Sequence, residues 1–374
     1  MRKGLSLLIA AIAFALMSVN AALAATEKVL YSFTDGSDGG FPAAGVIFDS
    51  AGNLYGTTSS GGVYNLGTVF ELSPLNGGWV ETVLYNFTGH SDGGSPSAGL
   101  LIDKFGNLYG TTQTNVFELQ RLKARWKEIV LYSPPGGSLS GLVADRAGHL
   151  FGTTAYGGTY GNGTVFGLQH SQSGWAAQIL YSFGANESDG LRPDAGVVVD
   201  STGHLYGATP SGGYGRGTVF ELTYSPSGWK EKILHYFEGG YDGTTPYAGL
   251  TLDGAGNLYG TTSSGGANNQ GTVFELSPSA QGWTETIIYN FASFQPSRWG
   301  LQFDQLGSLH GESRALLYEL SPSNGGWTEN TFFTLTSGDN ANGGLVFDSA
   351  GNTYGTAQNG GGVFNAGVVF EITP

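Results

Sequence analysis

The chain has 374 residues, no cysteine, 64 glycines and a formal net charge of −14. An acidic surface repels phosphate backbones, which argues against nucleic acid as a partner. Without cysteine no disulfide can form, so packing alone must stabilise the fold. The abundant glycine recurs at fixed offsets among many aromatic residues, which indicates tight turns rather than disorder.

The N-terminal segment has the order of a secretory signal peptide. Arg2 and Lys3 precede an apolar stretch from Leu5 to Met17, and Ala22-Leu23-Ala24 offers a cleavage site. The stretch is too short for a permanent membrane span, and neither a second such stretch nor a C-terminal anchor follows. We therefore predict that residues 1–24 are removed on export. Residues 25–374, with 13 basic and 29 acidic residues, would form one secreted or periplasmic domain without an integral membrane segment.

An internal repeat of roughly fifty residues follows the leader. The string A-G-N-L-Y-G-T-T-S-S-G-G occurs at 51–62 and again at 255–266, with weaker copies between and beyond. Each copy has four segments of strand character, named A to D here, of the types G-L-L-I-D, N-L-Y-G-T-T, G-T-V-F-E-L and W-x-E-T-x-L-Y-N-F. Their β-branched and aromatic residues, bounded by Gly, Ser, Pro or Asp, are typical of short strands of five to nine residues.

Strand A ends in aspartate in every copy, and a glycine follows three residues later. Asp at the first position and Gly at the fourth are preferred in a type I turn, so strands A and B should form a tight hairpin. The seven pairs are Asp49 and Gly52, Asp103 and Gly106, Asp145 and Gly148, Asp200 and Gly203, Asp253 and Gly256, Asp304 and Gly307, and Asp348 and Gly351.

Six D strands open with tryptophan, whereas the seventh A-B-C set ends at Pro374 without a D strand. The missing strand is at the other end of the chain, where residues 27–33 have the D pattern without its tryptophan. Four antiparallel strands repeated radially form a propeller. The sequence therefore predicts an all-β, seven-bladed β-propeller. The N-terminal strand would complete the C-terminal blade, and ring closure would leave no open edge.

The D-x-x-G-N-L-Y-G-T-T and G-T-V-F-E-L strings resemble the GloVer tandem repeat of exported bacterial proteins, over nearly the whole mature chain. That resemblance implies a surface or secreted protein and supplies no known activity. More loosely, the A–B hairpin is similar to those of NHL-type and streptogramin-lyase-type propellers, whose lyase repeats typically read D-G-N-x-W-F-T-E. Here Tyr55-Gly56 replaces the aromatic pair and Thr57 the closing glutamate, so no catalytic residue transfers. Only Glu312 restores an acid at the position of Thr57.

The connections divide between two faces of such a ring. We expect the A–B and C–D turns on one face and the longer, variable D–A and B–C loops on the other, where function usually resides. Aromatic rings beside amides suit sugars or peptides; alternatively, these residues form turns and pack on the blade. The candidate ligand-binding residues are Tyr64, Asn65, Tyr156, Tyr160, Asn162, Tyr214, Arg216, Asn268, Asn269 and Phe364.

Four D–A loops share the pattern D-G-x-x-P-x-A-G, with Asp38, Asp92, Asp189 and Asp242 as its first residue. One interpretation is calcium, because carboxylates among flexible glycines can surround a hard cation. The favoured interpretation is an Asx-type turn, in which the carboxylate binds nearby backbone. No other cofactor is predicted.

Blade 6 breaks the repeat at Arg298, His310 and Glu312. These residues are the best candidates for one asymmetric catalytic site; the alternative is decay of the repeat with compensating ion pairs. The function favoured by the sequence is binding of glycans or other surface polymers. A lyase or hydrolase using blade 6 is the second hypothesis, and a structural or protein-docking scaffold is the third.

Overall fold

The computed structural model describes residues 25–123, 125–172, 174–292, 300–323, 326–341 and 343–374. The predicted leader and Arg298 lie outside these ranges. Seven antiparallel sheets of the described chain each have strands in the order A-B-C-D and form the blades, which confirms the seven-bladed β-propeller. Strand B and the first half of strand C are buried because both their faces pack on neighbouring blades, whereas the end of strand C is exposed.

The strand bounds repeat closely from blade 1 to blade 7. The A strands are Ile47–Phe48, Leu101–Ile102, Val143–Ala144, Val198–Val199, Thr251–Leu252, Gln302–Phe303 and Val346–Phe347. The B strands are Leu54–Thr58, Leu108–Thr111, Leu150–Thr154, Leu205–Thr209, Leu258–Thr262, Leu309–Ser313 and Thr353–Gly360. The C strands are Thr68–Leu75, Val116–Arg121, Thr164–Ser171, Thr218–Ser225, Thr272–Ser279, Leu316–Ser323 and Val368–Thr373. The D strands are Gly78–Asn86, Trp126–Tyr132, Gly174–Ser182, Gly228–Tyr236, Gly282–Asn290, Gly326–Thr334 and, for blade 7, Thr26–Ser32.

The ring is closed by the first strand of the domain. Thr26–Ser32 pairs antiparallel with Val368–Thr373, from Thr26 opposite Thr373 to Ser32 opposite Val368. Leu30 and Phe33 are buried in a core cluster shared with blade 1. The N-terminal strand is therefore integral to the hydrophobic core.

Strand A is shorter than the sequence predicts, with only two ladder residues in each blade. The preceding residues bond to a neighbouring blade instead: Gly45 N–H donates to Gly343 O at 2.7 Å. A Cβ at Gly45 would lie 2.4 Å from Gly344 O, so glycine is required for this close approach.

Contacts between blades also follow the repeat. The B-strand aromatic of one blade packs edge-on against the D-strand tryptophan of the next, as in Tyr206 with Trp283 and Tyr259 with Trp327. A B-strand threonine donates to a carbonyl of the next blade, as Thr111 Oγ1 does to Ser140 O at 3.0 Å. Each repeat thus completes its neighbour's core.

The loops add short elements to this framework. Gly190–Leu191 pairs with Ser211–Gly212, and Gly338–Ala341 pairs with strand B of blade 7. Two 3₁₀ turns span Gly240–Asp242 and Gly362–Phe364. In the described ranges, no helix has the length and apolar character needed to cross a bilayer.

Candidate functional site

The turn face consists of the A–B and C–D turns, and its A–B turns are uniform. In all seven blades the glycine N–H donates to the aspartate carbonyl three residues earlier, at 3.0–3.3 Å. The glycines have φ between +81° and +91°, which a side chain disfavours. The predicted turn therefore forms in every copy.

The turn aspartates are fully engaged in local hydrogen bonds. Asp253 Oδ1 accepts from the N–H groups of Ala255 and Asn257, and Oδ2 accepts from Asn257 Nδ2 and Tyr259 Oη. Burial would raise the pKa of Asp49, its counterpart in blade 1, but its hydrogen bonds hold that pKa below the usual range. These carboxylates are structural.

The D–A and B–C connections together form the opposite surface, called the loop face. At the six blade junctions whose loops the structure describes, the B–C loop meets the D–A loop that leads into the next blade: Ser95 N–H donates to Leu66 O at 2.7 Å, and Arg192 N–H to Asn162 O at 2.8 Å. D–A loops also pair with their own blade, as Gly40 does with Ser60. The loop face is therefore a hydrogen-bonded surface rather than a set of independent loops.

The asparagines among the candidate ligand-binding residues mostly support turns. Asn65 and Asn269 have positive φ, and their Oδ1 atoms accept from Gly61 N–H and Gly265 N–H at 3.2 Å. Asn268 Nδ2 donates to Phe291 O, and Asn162 Nδ2 to Tyr160 O. These amides are occupied within the loops.

The aromatic candidates have a different placement, because they are exposed on the loop face. Tyr64, Tyr156, Tyr160, Tyr214 and Phe364 are between 44% and 75% exposed. They belong to the B–C loops of four different blades, so the structure spreads them around the face rather than gathering them in one pocket. The sequence analysis missed Tyr241, which is 80% exposed in the D–A loop before blade 5.

Two arginines orient parts of this surface. Arg192 stacks over the Tyr156 ring at 5.0 Å and donates from Nη2 to Tyr156 Oη at 2.9 Å. The Arg216 guanidinium bonds to the carbonyl oxygen of Glu238 in the next D–A loop. Arg216 therefore ties two loops together.

The four D–A aspartates bind the loops in which they lie. Asp92 accepts from Tyr85 Oη, Thr88 N–H and Thr88 Oγ1, and Asp189 accepts from Tyr181 Oη and two backbone N–H groups. Asp38 accepts from Tyr31 Oη and Thr34, and Asp242 has His235 as its partner in place of tyrosine. These carboxylates accept from groups that precede them in the loop, whereas an Asx turn uses the backbone N–H two residues after the aspartate.

A D-strand glutamate of the following blade lies beside each of these aspartates. Burial, and then the charge of the neighbouring aspartate, raise the pKa values of Glu81, Glu128 and Glu231 to about 7. An Oε1 atom of each is buried without a hydrogen-bond partner among the described residues.

In blade 6, His310 and Glu312 are buried and both face blade 7. His310 Nε2 lies 3.1 Å from Asp304 Oδ2, and its ring packs 4.8 Å from that of Phe347. Glu312 Oε2 accepts from the N–H groups of Gly343 and Gly344 at 3.1 and 3.4 Å. Burial raises the pKa of Glu312 to about 7. The two residues share a side of the sheet but have separate partners.

A cleft of about 840 Å³ opens on the turn face between blades 2 and 3. Its lining includes Tyr109, Glu118 and Trp175, with Lys104 and Arg146 from the two adjacent A–B turns. The sequence analysis did not predict this cleft, because it arises from the gap between two blades.

Comparisons with known proteins agree with the repeat and the fold. The family model described as "Gloeobacter/Verrucomicrobia repeat" matches residues 15–120 and 116–315, which confirms the resemblance drawn from the repeat strings. No curated protein matches the chain.

Among solved structures, the chain is similar to virginiamycin B lyase from Staphylococcus aureus. A catalytically inactive variant with quinupristin has a TM-score of 0.63 at 15% identity, over 94% of this chain and 99% of that one. The extracellular domain of a hybrid two-component system from B. thetaiotaomicron has a TM-score of 0.63 at 13% identity, over 92% of this chain and 39% of that one. At these identities the likeness concerns the fold alone.

Proposed function

This chain belongs to the Gloeobacter/Verrucomicrobia repeat family, and on that premise we propose that it is an exported propeller that binds glycans or other surface polymers through its loop face. In a protein built from copies of one repeat, the framework positions recur, and the positions that differ between copies are free to carry function. The A–B turns are uniform, whereas the B–C loops differ in length and side chains.

The observation that carries the proposal is the set of five exposed aromatic side chains on hydrogen-bonded loops. A flat aromatic ring can stack on the apolar side of a sugar ring, while nearby polar groups bind hydroxyls. Because the loops are held by backbone hydrogen bonds, and Tyr156 by Arg192, little conformational entropy is lost when a ligand binds.

The spacing of the aromatics favours an extended ligand over a small one. Each stacking contact contributes about 1 kcal/mol, so several blades must contribute together. The B–C connections of blades 2 and 6 are the shortest, with four residues between Thr111 and Val116 and two between Ser313 and Leu316. The loop face should therefore project least at blades 2 and 6, and an extended polymer could cross the face there.

The test is a glycan-array and insoluble-polysaccharide binding screen of residues 25–374, with and without calcium. Substitution of Tyr64, Tyr156 and Tyr214 to alanine should weaken binding to the strongest polymer about 100-fold, because three contacts of about 1 kcal/mol are lost. Circular dichroism should show an unchanged fold.

The matched control is a double substitution on the opposite face, Phe105→Ala with Tyr224→Ala. These side chains are 73% and 70% exposed, so the control removes comparable aromatic surface and should leave binding unchanged. If the loop-face triple variant binds normally while Lys104→Ala with Arg146→Ala loses binding, the cleft between blades 2 and 3 is the site and the proposal is wrong.

A second candidate is catalysis at blade 6, favoured by one specific observation. His310 Nδ1 and Glu312 Oε1 are buried atoms without hydrogen-bond partners among the described residues, and they belong to neighbouring side chains on one face of strand B. The test is a screen for lyase and hydrolase activity. His310→Ala with Glu312→Gln should abolish any activity found, and normal turnover by this double variant would eliminate the candidate.

A further inference from the structure

The D–A loop between blades 4 and 5 differs from the other three aspartate-bearing loops in the residue that contacts its aspartate. Tyr31, Tyr85 and Tyr181 each donate a hydrogen bond of 2.9–3.1 Å from Oη to the aspartate of the following loop. At the same position blade 4 has His235, whose Nε2 lies 3.0 Å from Asp242 Oδ1. A phenol is thus replaced by an imidazole nitrogen, which is a good metal ligand.

A third ligand-type group comes from the next blade. Glu285, in strand D of blade 5, has Oε1 3.7 Å from His235 Nε2. The ligand atoms of the three residues all lie within 4.8 Å of one another. A tetrahedral zinc ion with bonds of about 2.0–2.1 Å has ligand atoms about 3.3 Å apart, so the observed distances need only small adjustments of side chains.

The charges around this cluster are unbalanced. Glu285 Oε1 is buried without a hydrogen-bond partner in the described part of the chain. The ion pairs among the described residues give Asp242 and Glu285 no lysine or arginine partner, only His235. Two carboxyl groups brought together away from water are neutralised either by a proton held between them or by a cation. A divalent cation at this place would neutralise both.

We propose that His235, Asp242 and Glu285 bind a divalent transition metal of the zinc class, with one coordination position left open. The imidazole nitrogen favours zinc and similar ions over calcium and magnesium, which prefer all-oxygen sites. The three side chains are 14–20% exposed, so an ion can reach them from solvent. The metal joins blades 4 and 5 in a chain that has no cysteine to cross-link them. The proposed metal site does not depend on polymer binding by the exposed aromatic residues of the loop face.

The chain contains its own control, because five other blades have tyrosine where blade 4 has histidine, and in three of them the tyrosine contacts the aspartate of the following D–A loop. Untagged residues 25–374 are freed of metal with a chelator and titrated calorimetrically with zinc chloride and, separately, calcium chloride. We expect one zinc ion per chain and weaker calcium binding. His235→Tyr restores the repeat, so its metal-free form should melt as the native protein does, while its zinc affinity falls at least about 100-fold.

The reciprocal variant tests whether histidine is the deciding ligand. Tyr181→His places an imidazole beside Asp189 and Glu231, whose Oδ1 and Oε1 atoms are buried without partners among the described residues. This variant should bind a second zinc ion. Unchanged zinc affinity and stoichiometry in both His235→Tyr and Glu285→Gln would overturn the proposal. So would a Tyr181→His variant that folds but gains no site.

Discussion

On the turn face, each repeat binds its aspartate to the same donors: two backbone N–H groups, and in most blades an asparagine amide and a tyrosine hydroxyl. On the loop face, the backbone is equally well bonded, but the side chains differ between blades and several aromatic rings are exposed. The comparison teaches that one repeat can maintain a fixed framework on one side while its other side varies. Substitutions should therefore affect stability on the turn face and binding on the loop face.

The largest loss of stability is expected when the N-terminal strand, which closes the ring, is removed. Deleting residues 25–33 removes strand D of blade 7, the buried side chains of Leu30 and Phe33, and the hydrogen bonds from Thr336 to Glu27. The loss opens the ring and should exceed about 5 kcal/mol, so the variant should be unfolded or aggregated. Circular dichroism melting measures this. Lys28→Ala, which removes only an exposed ion pair with Glu371, is the matched control and should have little effect. A native melting curve for the deletion would show that the ring does not need closure.

The second largest effect is a difference in the free energy of unfolding between a turn-face variant and a loop-face variant. Asp253→Ala leaves two backbone N–H groups and two side-chain donors without their acceptor and should cost about 2–4 kcal/mol. Tyr64→Ala, on the loop face, removes an exposed ring and should change the free energy of unfolding by less than about 0.5 kcal/mol. Urea denaturation of the two variants tests the contrast. Equal destabilisation would mean that the loop aromatics are part of the framework.

A smaller effect concerns the pH dependence of stability, because the pKa values of the hydrogen-bonded turn aspartates are lowered while that of a partly buried glutamate behind the loop face is raised. Hydrogen bonds hold the pKa values of Asp49, Asp200 and Asp348 low despite burial, so their stabilisation is present above about pH 3.8 and lost in stronger acid. Glu231, behind the loop face, has a pKa raised to about 7 by burial and by Asp189. Its contribution is full below about pH 4.5 and is lost as the pH rises through 7.

Glu231→Gln isolates the second of these effects. Glutamine keeps the shape of the protonated side chain but cannot ionise. The variant should be more stable than the native protein at pH 8 by about 1 kcal/mol, a modest value because the side chain is partly solvated. At pH 4.5 the two proteins should have equal stability. Urea denaturation at both pH values is the measurement, and a variant that is less stable at pH 8 would contradict the assignment.

Much of this organisation could be predicted from sequence because it is local. The Asp-to-Gly turn needs only a spacing of three residues, and ring closure follows from the offset of strand D between the two ends of the chain. Features made by packing between blades could not be predicted in this way. Glu285 is separated from His235 by a whole repeat, and the cleft beside Trp175 exists only because blades 2 and 3 are adjacent.

Alternation along a strand was informative but incomplete at blade 6. Because residues two apart on a strand face the same way, His310 and Glu312 are expected on one side of the sheet, and both do face blade 7. Alternation could not indicate that His310 contacts Asp304 in an A–B turn, whereas Glu312 accepts from backbone N–H groups of blade 7. For the loop residues, the pattern of Tyr and Asn could not separate Asn65, which supports a turn, from Tyr64, which is exposed.

The central claim, that ligands bind the loop face, is tested most directly by hydroxyl-radical footprinting of residues 25–374 with and without the polymer that binds best in the array. Oxidation of Tyr64, Tyr156 and Tyr214 reports on the loop face, and oxidation of Phe105 and Tyr224 on the turn face; all five rings are exposed in the free protein. The account predicts that the polymer protects the three loop-face tyrosines and leaves the two turn-face rings as reactive as before. Protection of Phe105, which lines the cleft between blades 2 and 3, without protection of the tyrosines would contradict it.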